Sequence, residues 1–273
     1  MKNAISFLLI LSVLAACNSG DRNNTRSIGS ADNTPPAIDY SVMKVIPHDT
    51  TAYTEGLLFH NGQLYESTGT EPDMPESRRS EFGTVDTITG KLQPKVEIDR
   101  KKYFGEGIAF LNGKVYQLTY KTKVGFIYDA ATFRKLGEFT FPSAEGWGMT
   151  TNGANLIMSD GTSNITYLDP NTFQVVKTLN VTDNNGPVSN VNELELIHGY
   201  LYANQWQTDY ILKIDTSSGK VVGRLDLGAI TAEARNKFSG SEVLNGIAYN
   251  PATGLIYVTG KLWPNIYELK VGL

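Results

Sequence analysis

The chain of 273 residues carries 24 Lys and Arg against 28 Asp and Glu, a formal net charge of −4, with no basic block. That balance argues against nucleic acid as a partner, and the single cysteine, Cys17, excludes an intramolecular disulfide. Twenty-six Gly and 10% aromatic residues suit a protein of many turns and stacked sheets.

The first element is a leader. Lys2 precedes an apolar run over residues 5–14, too short to span a bilayer, so residues 1–16 read as an export signal. The run ends in Leu14-Ala15-Ala16-Cys17, which resembles the bacterial lipoprotein signal. The resemblance implies lipidation of Cys17 and a domain exported and anchored to the cell envelope by lipid alone, on the periplasmic or surface side. Residues 17–38 are polar and end near a double proline, the composition of a flexible linker. Residues 39–273 form the folded domain, a length that all-β propellers reach as one unit.

Within that domain a phrase recurs five times: YTEGLLFHNGQLYEST from Tyr53, FGEGIAFLNGKVYQLTY from Phe104, AEGWGMTTNGANLIMSD from Ala144, VNELELIHGYLYANQW from Val191 and LNGIAYNPATGLIYVTGK from Leu244. Gly56, Gly107, Gly148, Leu194 and Gly246 take equivalent places, giving steps of 51, 41, 46 and 52 residues. Short strands repeating at that period predict a β-propeller. A second hairpin follows in four units, turning at TITGK, DAATF, DPNTF and DTSSGK. Two hairpins make one blade, so the expected fold is all-β, a five-bladed propeller with four antiparallel strands per blade. The fifth unit lacks a strand, which residues 40–46 supply from the N-terminal end, closing the ring. Two insertions stand out, residues 69–80 and residues 227–243, the latter with a helix around 232–237 capped by Thr231.

Just before the equivalent places stand Glu55, Glu106, Trp147, Glu193 and Asn245, and about thirteen residues on come Thr68, Tyr120, Asp160, Trp206 and Lys261. Innermost strands line a propeller channel, so the first ring is expected to gather three carboxylates. Their repulsion and desolvation predict a raised pKa, suited to a cation site or to proton transfer. The plainer alternative has each Glu binding backbone amides of the next blade. Trp147 and Trp206 fit an aromatic box for a small ligand, while Trp263 either joins it or plugs the core. His48, His60 and His198 lack metal-ligand spacing and read as surface or core filler. No G-x-S-x-G elbow is present.

The motifs YTEGL, YESTG, YFGEGI, QLTY, EGWGMT, SDGT, NELE, ANQW, LNGIA and TGKLWP occur in that order from Tyr53 onward. Together they resemble the plant-type glutaminyl cyclases, or glutaminyl-peptide cyclotransferases, across nearly the whole domain. The resemblance implies a five-bladed propeller that cyclises the N-terminal glutamine of peptides or proteins to pyroglutamate, releasing ammonia. It implies Glu106 as catalytic acid/base and Tyr53, Glu55, Phe104, Tyr120, Trp147, Asn192, Trp206 and Lys261 as substrate-binding residues. Asn192 or an indole N–H is the expected oxyanion donor, and Glu55 and Glu193 are expected to raise the pKa of Glu106. No metal or other cofactor is expected for the chemistry, with a structural divalent cation in the channel left open, and the protein is expected to be a monomer. Glu55 and Tyr120 replace the Gln and Trp of the plant pattern, which bears on rate, pH dependence and peptide preference. Two other readings stand beside this one: a propeller that binds a ligand or partner without turnover, and a calcium-dependent, lactonase-like hydrolase.

Overall fold

Short alternating apolar runs, each ended by an Asx or Gly turn, leave this chain little choice but antiparallel hairpins. The computed structural model describes residues 34–272 and arranges them as five four-stranded antiparallel sheets. The first blade is Thr54–His60, Gln63–Thr68, Glu81–Val85 and Leu92–Glu97; the second is Gly105–Leu111, Lys114–Thr119, Val124–Asp129 and Lys135–Thr140. The third is Met149–Thr151, Leu156–Ser159, Asn164–Leu168 and Val175–Asn180; the fourth is Val191–Ile197, Tyr200–Gln205, Tyr210–Asp215 and Val221–Asp226. The fifth joins Leu244–Asn250, Leu255–Gly260 and Asn265–Val271 to the N-terminal strand Tyr40–Pro47. Each innermost strand contacts that of the next blade, and the fifth contacts the first, so the ring is closed. The all-β, five-bladed propeller and its closure by an N-terminal strand are therefore as expected. The leader and Cys17 lie outside the described residues.

Turn chemistry sets the strand ends. The inner hairpins of three blades turn on Asn61-Gly62, Asn112-Gly113 and His198-Gly199, both residues at positive φ, as two-residue primed turns require. In the outer hairpins the Oδ1 atoms of Asp86, Asp129, Asp169 and Asp215 accept backbone N–H groups two and three residues on, at 2.8–3.2 Å. These bonds favour the ionised carboxylates; hydroxyl and N–H donors from Ser217 and Ser218 bring Asp215 down to about 2.

Apolar side chains pack between neighbouring blades. Ile46, Leu57, Leu64, Ala248, Tyr257 and Ile266 fill the seam between the fifth and first blades, each Leu or Ile contributing about 1.5–3 kcal/mol by burial. The closing strand pairs from Tyr40 opposite Val271 to Pro47 opposite Asn265, with one register shift between Val42 and Lys44. His48, next in sequence, is not filler: its Nδ1 donates to the Trp263 carbonyl at 2.8 Å and its Nε2 to Glu66 Oε1 at 2.9 Å. It thus links the fifth blade to the first.

Three other features differ from expectation. Pro36–Ile38 were assigned to the linker, yet Arg224 N–H donates to the Pro36 carbonyl and Ile38 N–H to the Arg224 carbonyl, laying this stretch along the fourth blade. The helix spans Gly228–Lys237, so Thr231 is not its cap; it is buried in the first turn and its N–H donates to the Leu227 carbonyl. A small hairpin, Thr182–Asp183 with Gly186–Pro187, separates the third and fourth blades.

Candidate functional site

Four of the five innermost strands carry a register break near their start, between Thr54 and Gly56, Gly105 and Ile108, Val191 and Leu194, and Leu244 and Ile247. Such breaks interrupt the two-residue alternation and re-aim side chains. Glu55, Glu106, Asn192 and Asn245 sit in them. In the third blade the innermost strand begins only at Met149, just past Trp147. Neighbouring blades come very close here. A Cβ on Gly107 would lie 2.4 Å from the Met149 nitrogen and one on Gly148 2.4 Å from the Asn192 oxygen, so neither position admits a side chain.

Serines fix the backbone beneath the site. Ser67 Oγ donates to the Glu106 carbonyl at 2.6 Å, and Ser159 Oγ donates to the Asn192 carbonyl at 2.7 Å. Both stand one place before the second ring of recurrent positions, in YEST and MSD. Comparing the repeats at that offset is the signal that finds them.

The residues assigned to the site converge on one cavity of about 600 Å³, lined by Tyr53, Glu55, Phe104, Glu106, Tyr120, Trp147, Asn192, Trp206 and Lys261 among others. At its buried end Lys261 Nζ lies 2.6 Å from Glu55 Oε1 and 4.5 Å from the Tyr53 ring centre. Tyr53 in turn donates its hydroxyl to Glu242 Oε2 at 3.0 Å. Burial pushes the Glu106 carboxyl well above its usual range, and the neighbouring Glu55 charge pushes it further. Burial also raises Glu55, and the net shift stays upward although Lys261 and a hydrogen bond from Glu106 offset part of it. Of the two, Glu106 is pushed up further and is the one favoured to hold a proton. Its Oε2 is buried with no hydrogen-bond partner among the described residues, and so is Asn192 Oδ1. Both belong to side chains that line the cavity.

The walls are aromatic. Tyr53 meets Phe104 edge-on at 6.1 Å and Phe104 meets Tyr120 at 5.8 Å, while Trp147 meets Trp206 edge-on at 5.6 Å. The Trp147 indole N–H donates to Glu145 Oε2 at 2.9 Å, so it is not free to serve a substrate oxygen.

Several recurrent positions do other work. Glu193 does not join the cavity: its oxygens accept the Leu57 and Ile247 backbone N–H groups at 3.3 and 2.8 Å, tying the fourth blade to the first and fifth. The expectation that it raises the Glu106 pKa fails, because the break at Val191 sends Asn192 to the cavity and Glu193 to its neighbours' backbone. Asn245 Nδ2 donates to the Thr54 carbonyl at 2.8 Å and to Glu55 Oε2 at 3.2 Å, bracing the site from behind. Thr68 bonds the Arg79 carbonyl, and Trp263 is fully buried in the core with its N–H on the Glu242 carbonyl. The first insertion stands out in the sequence as a place for binding groups, but nothing there singles out Glu71, Met74 and Arg78, which line the cavity mouth. An insertion has no repeat partner to show which of its residues reach the cavity.

Among the described residues no group of three or more His, Cys, Asp or Glu side chains is placed to hold a metal ion. The three carboxylates of the first ring do not converge, and the ammonium of Lys261 already stands against Glu55.

The sequence matches the glutamine cyclotransferase family model over residues 8–271. It is 36% identical over 235 residues to a glutaminyl-peptide cyclotransferase of Arabidopsis thaliana, covering 85% of this chain and 71% of that protein. The fold superposes on the crystal structure of Myxococcus xanthus glutaminyl cyclase with a TM-score of 0.77 at 32% identity, covering 87% of this chain and 98% of that one. With fold, motif order and sequence match in agreement, the chain belongs to the glutamine cyclotransferase family.

Proposed function

We propose that the cavity cyclises the N-terminal glutamine of peptides and proteins to pyroglutamate, and that Glu106 moves the proton. Family membership supports the activity, that of a glutaminyl-peptide cyclotransferase. The observation that carries the assignment of Glu106 is a wholly buried carboxyl beside the Glu55–Lys261 pair, pushed toward its protonated form by burial and the Glu55 charge, with one oxygen unpartnered.

In this reaction the α-amine nitrogen attacks the side-chain amide carbon, a C–N bond forms, and the bond to the amide nitrogen breaks. Amide ion is not a viable leaving group, so the departing nitrogen must be protonated. Glu106 gives its proton to that nitrogen and takes one from the attacking nitrogen, ending as it began. The attacking amine must be neutral, which its pKa of about 7.7–8.0 allows. Phe104, Trp147 and Trp206 hold the side chain folded back on its amine, supplying orientation. With the Trp147 N–H engaged by Glu145, the donors left for the developing oxyanion are the Asn192 amide and the Trp206 indole. Lys261 keeps Glu55 ionised, and Glu55 keeps the proton on Glu106. The reaction proposed needs no cofactor.

The test is ammonia release from a Gln-dipeptide. Glu106→Gln is expected to keep the fold and lose about 10²–10⁴-fold in kcat; near-normal turnover would remove Glu106 from its role. Trp147→Ala and Trp206→Ala should raise KM, and unchanged kinetics in both would remove the aromatic walls. Activity that survives a chelator supports the cyclase, activity lost to it favours a calcium-dependent hydrolase, and binding without ammonia favours a non-catalytic propeller.

The leader supports a further part of the proposal: an exported protein, lipidated at Cys17 and anchored to the bacterial envelope. Fatty-acid labelling lost in Cys17→Ser would support the anchor; labelling retained there would contradict it.

A further inference from the structure

The first insertion has little of its own to hold it. Residues 71–77 are exposed, Pro72 and Pro75 lack N–H groups, and the stretch pairs with no strand. Its internal backbone bonds are two, Met74 N–H to the Glu71 carbonyl at 3.2 Å and Arg78 N–H to the Pro75 carbonyl at 3.0 Å. Thr70 Oγ1 adds a bond to the Glu71 carbonyl at 3.4 Å and Arg78 Nη1 one to Met74 Sδ at 3.5 Å, and a single further side chain supplies most of the rest. Arg100 Nη1 donates to the carbonyls of Pro75 and Arg78 at 3.2 and 3.0 Å, and Nη2 to those of Glu71, Pro72 and Met74 at 3.0, 3.2 and 2.5 Å. The planar fork of a guanidinium suits this task and a lysine ammonium does not.

Position gives the clamp its meaning. Arg100 lies between the first and second blades, four residues before Phe104, and does not itself line the cavity. The strap it holds brings Glu71, Met74 and Arg78 to the cavity mouth, while Glu55, Glu106, Asn192 and Lys261 form the buried end. A cavity of about 600 Å³ exceeds what one glutaminyl residue fills. A substrate whose first residue occupies the buried end must lead its chain out through the mouth. The strap is one wall of that exit, and segments that carry Glu145, Asp160 and Asn190 line the cavity as well.

Resting on the cyclase reading, we infer that Arg100 is a positioning residue: by clamping residues 71–78 it builds the subsite for the residues that follow the N-terminal glutamine. Binding of longer peptides then depends on Arg100, and chemistry at glutamine itself does not.

The experiment compares glutamine amide, which has no second residue, with a Gln-tripeptide in the unaltered protein, Arg100→Ala and Arg100→Lys. Arg100→Ala is expected to raise KM for the tripeptide by about tenfold with kcat little changed, and to leave both constants for glutamine amide within about twofold. Arg100→Lys, which retains the charge and stem but not the fork, should fall between, and it serves as the test should the alanine variant fail to fold. Equal losses on both substrates, or an unchanged tripeptide KM, would overturn the subsite. Failure of the unaltered protein to cyclise either substrate would overturn the cyclase reading, and the subsite with it.

Discussion

Glu106 and Glu55 are two buried carboxyls on adjacent blades with one ammonium between them, so only one of the pair can be comfortably ionised. Lys261 sides with Glu55, and the proton goes to Glu106. Activity should therefore rise as the substrate amine becomes neutral, near its pKa of about 7.7–8.0, and fall again once Glu106 loses its proton at its raised pKa. Glu55→Gln removes the neighbouring negative charge and leaves Lys261 uncompensated. Both changes favour ionised Glu106, so the alkaline limb of kcat/KM should move to lower pH. A limb that stays in place would show that Glu55 does not hold the proton on Glu106. The motif FGEG singles out Glu106 in the sequence; its pairing with Glu55 and Lys261 spans residues far apart in the chain and becomes visible only when the first, second and fifth blades meet.

At the level of the strand, the bulge matters more than the repeat. Equivalent places in the five phrases predict equivalent roles, and for Glu55 and Glu106 they deliver them. In NELE the bulge exchanges the parts, giving the cavity to Asn192 and the backbone of two other blades to Glu193. A pattern of alternation cannot foresee a residue inserted out of register. The same strands also impose the close approach at Gly107. Its Cβ in Gly107→Ala would meet the Met149 nitrogen and the Trp147 oxygen, backbone atoms that cannot rotate aside. The expected loss is about 1–3 kcal/mol or more, seen as a lower Tm together with a higher KM as Trp147 shifts. Gly137→Ala, on an outer strand with open space around it, should change stability by less than about 0.5 kcal/mol. Equal Tm values for the two variants would refute this account of the inter-blade spacing.

The ring as a whole is joined by buried and half-buried titratable groups, Glu195 among the latter, that make its stability depend on pH. Burial raises Glu195 to about 8, although it accepts the Tyr249 N–H at 3.0 Å, and burial raises Glu193 well above the usual range. Burial alone would lower His48, but the Glu66 carboxylate raises it more, and the net shift is upward. Groups with raised folded pKa values add stability below their unfolded pKa and lose it as pH climbs through the folded one. For Glu195 the loss runs from about 4.3 in the unfolded chain to about 8 in the ring. Tm should accordingly fall across that window, and Glu195→Gln should flatten the decline and melt higher than the unaltered protein above pH 7. An unaltered slope in the variant would remove Glu195 as a cause.

The sequence by itself determined the blades, their number and their closing strand, because turn chemistry, two-residue alternation and a repeat period are local properties written into each segment. The order of its motifs also determined the family and, with it, the residues gathered in the cavity. Tertiary structure alone decided that Glu193 ties blades together while Glu55 and Glu106 line the cavity, since bulges shift register by amounts no pattern records. It alone joined Arg100 to the carbonyls of a strap more than twenty residues earlier. That contact depends on the path of a loop with no repeat, no core and no strand partner, and only the folded chain specifies such a path.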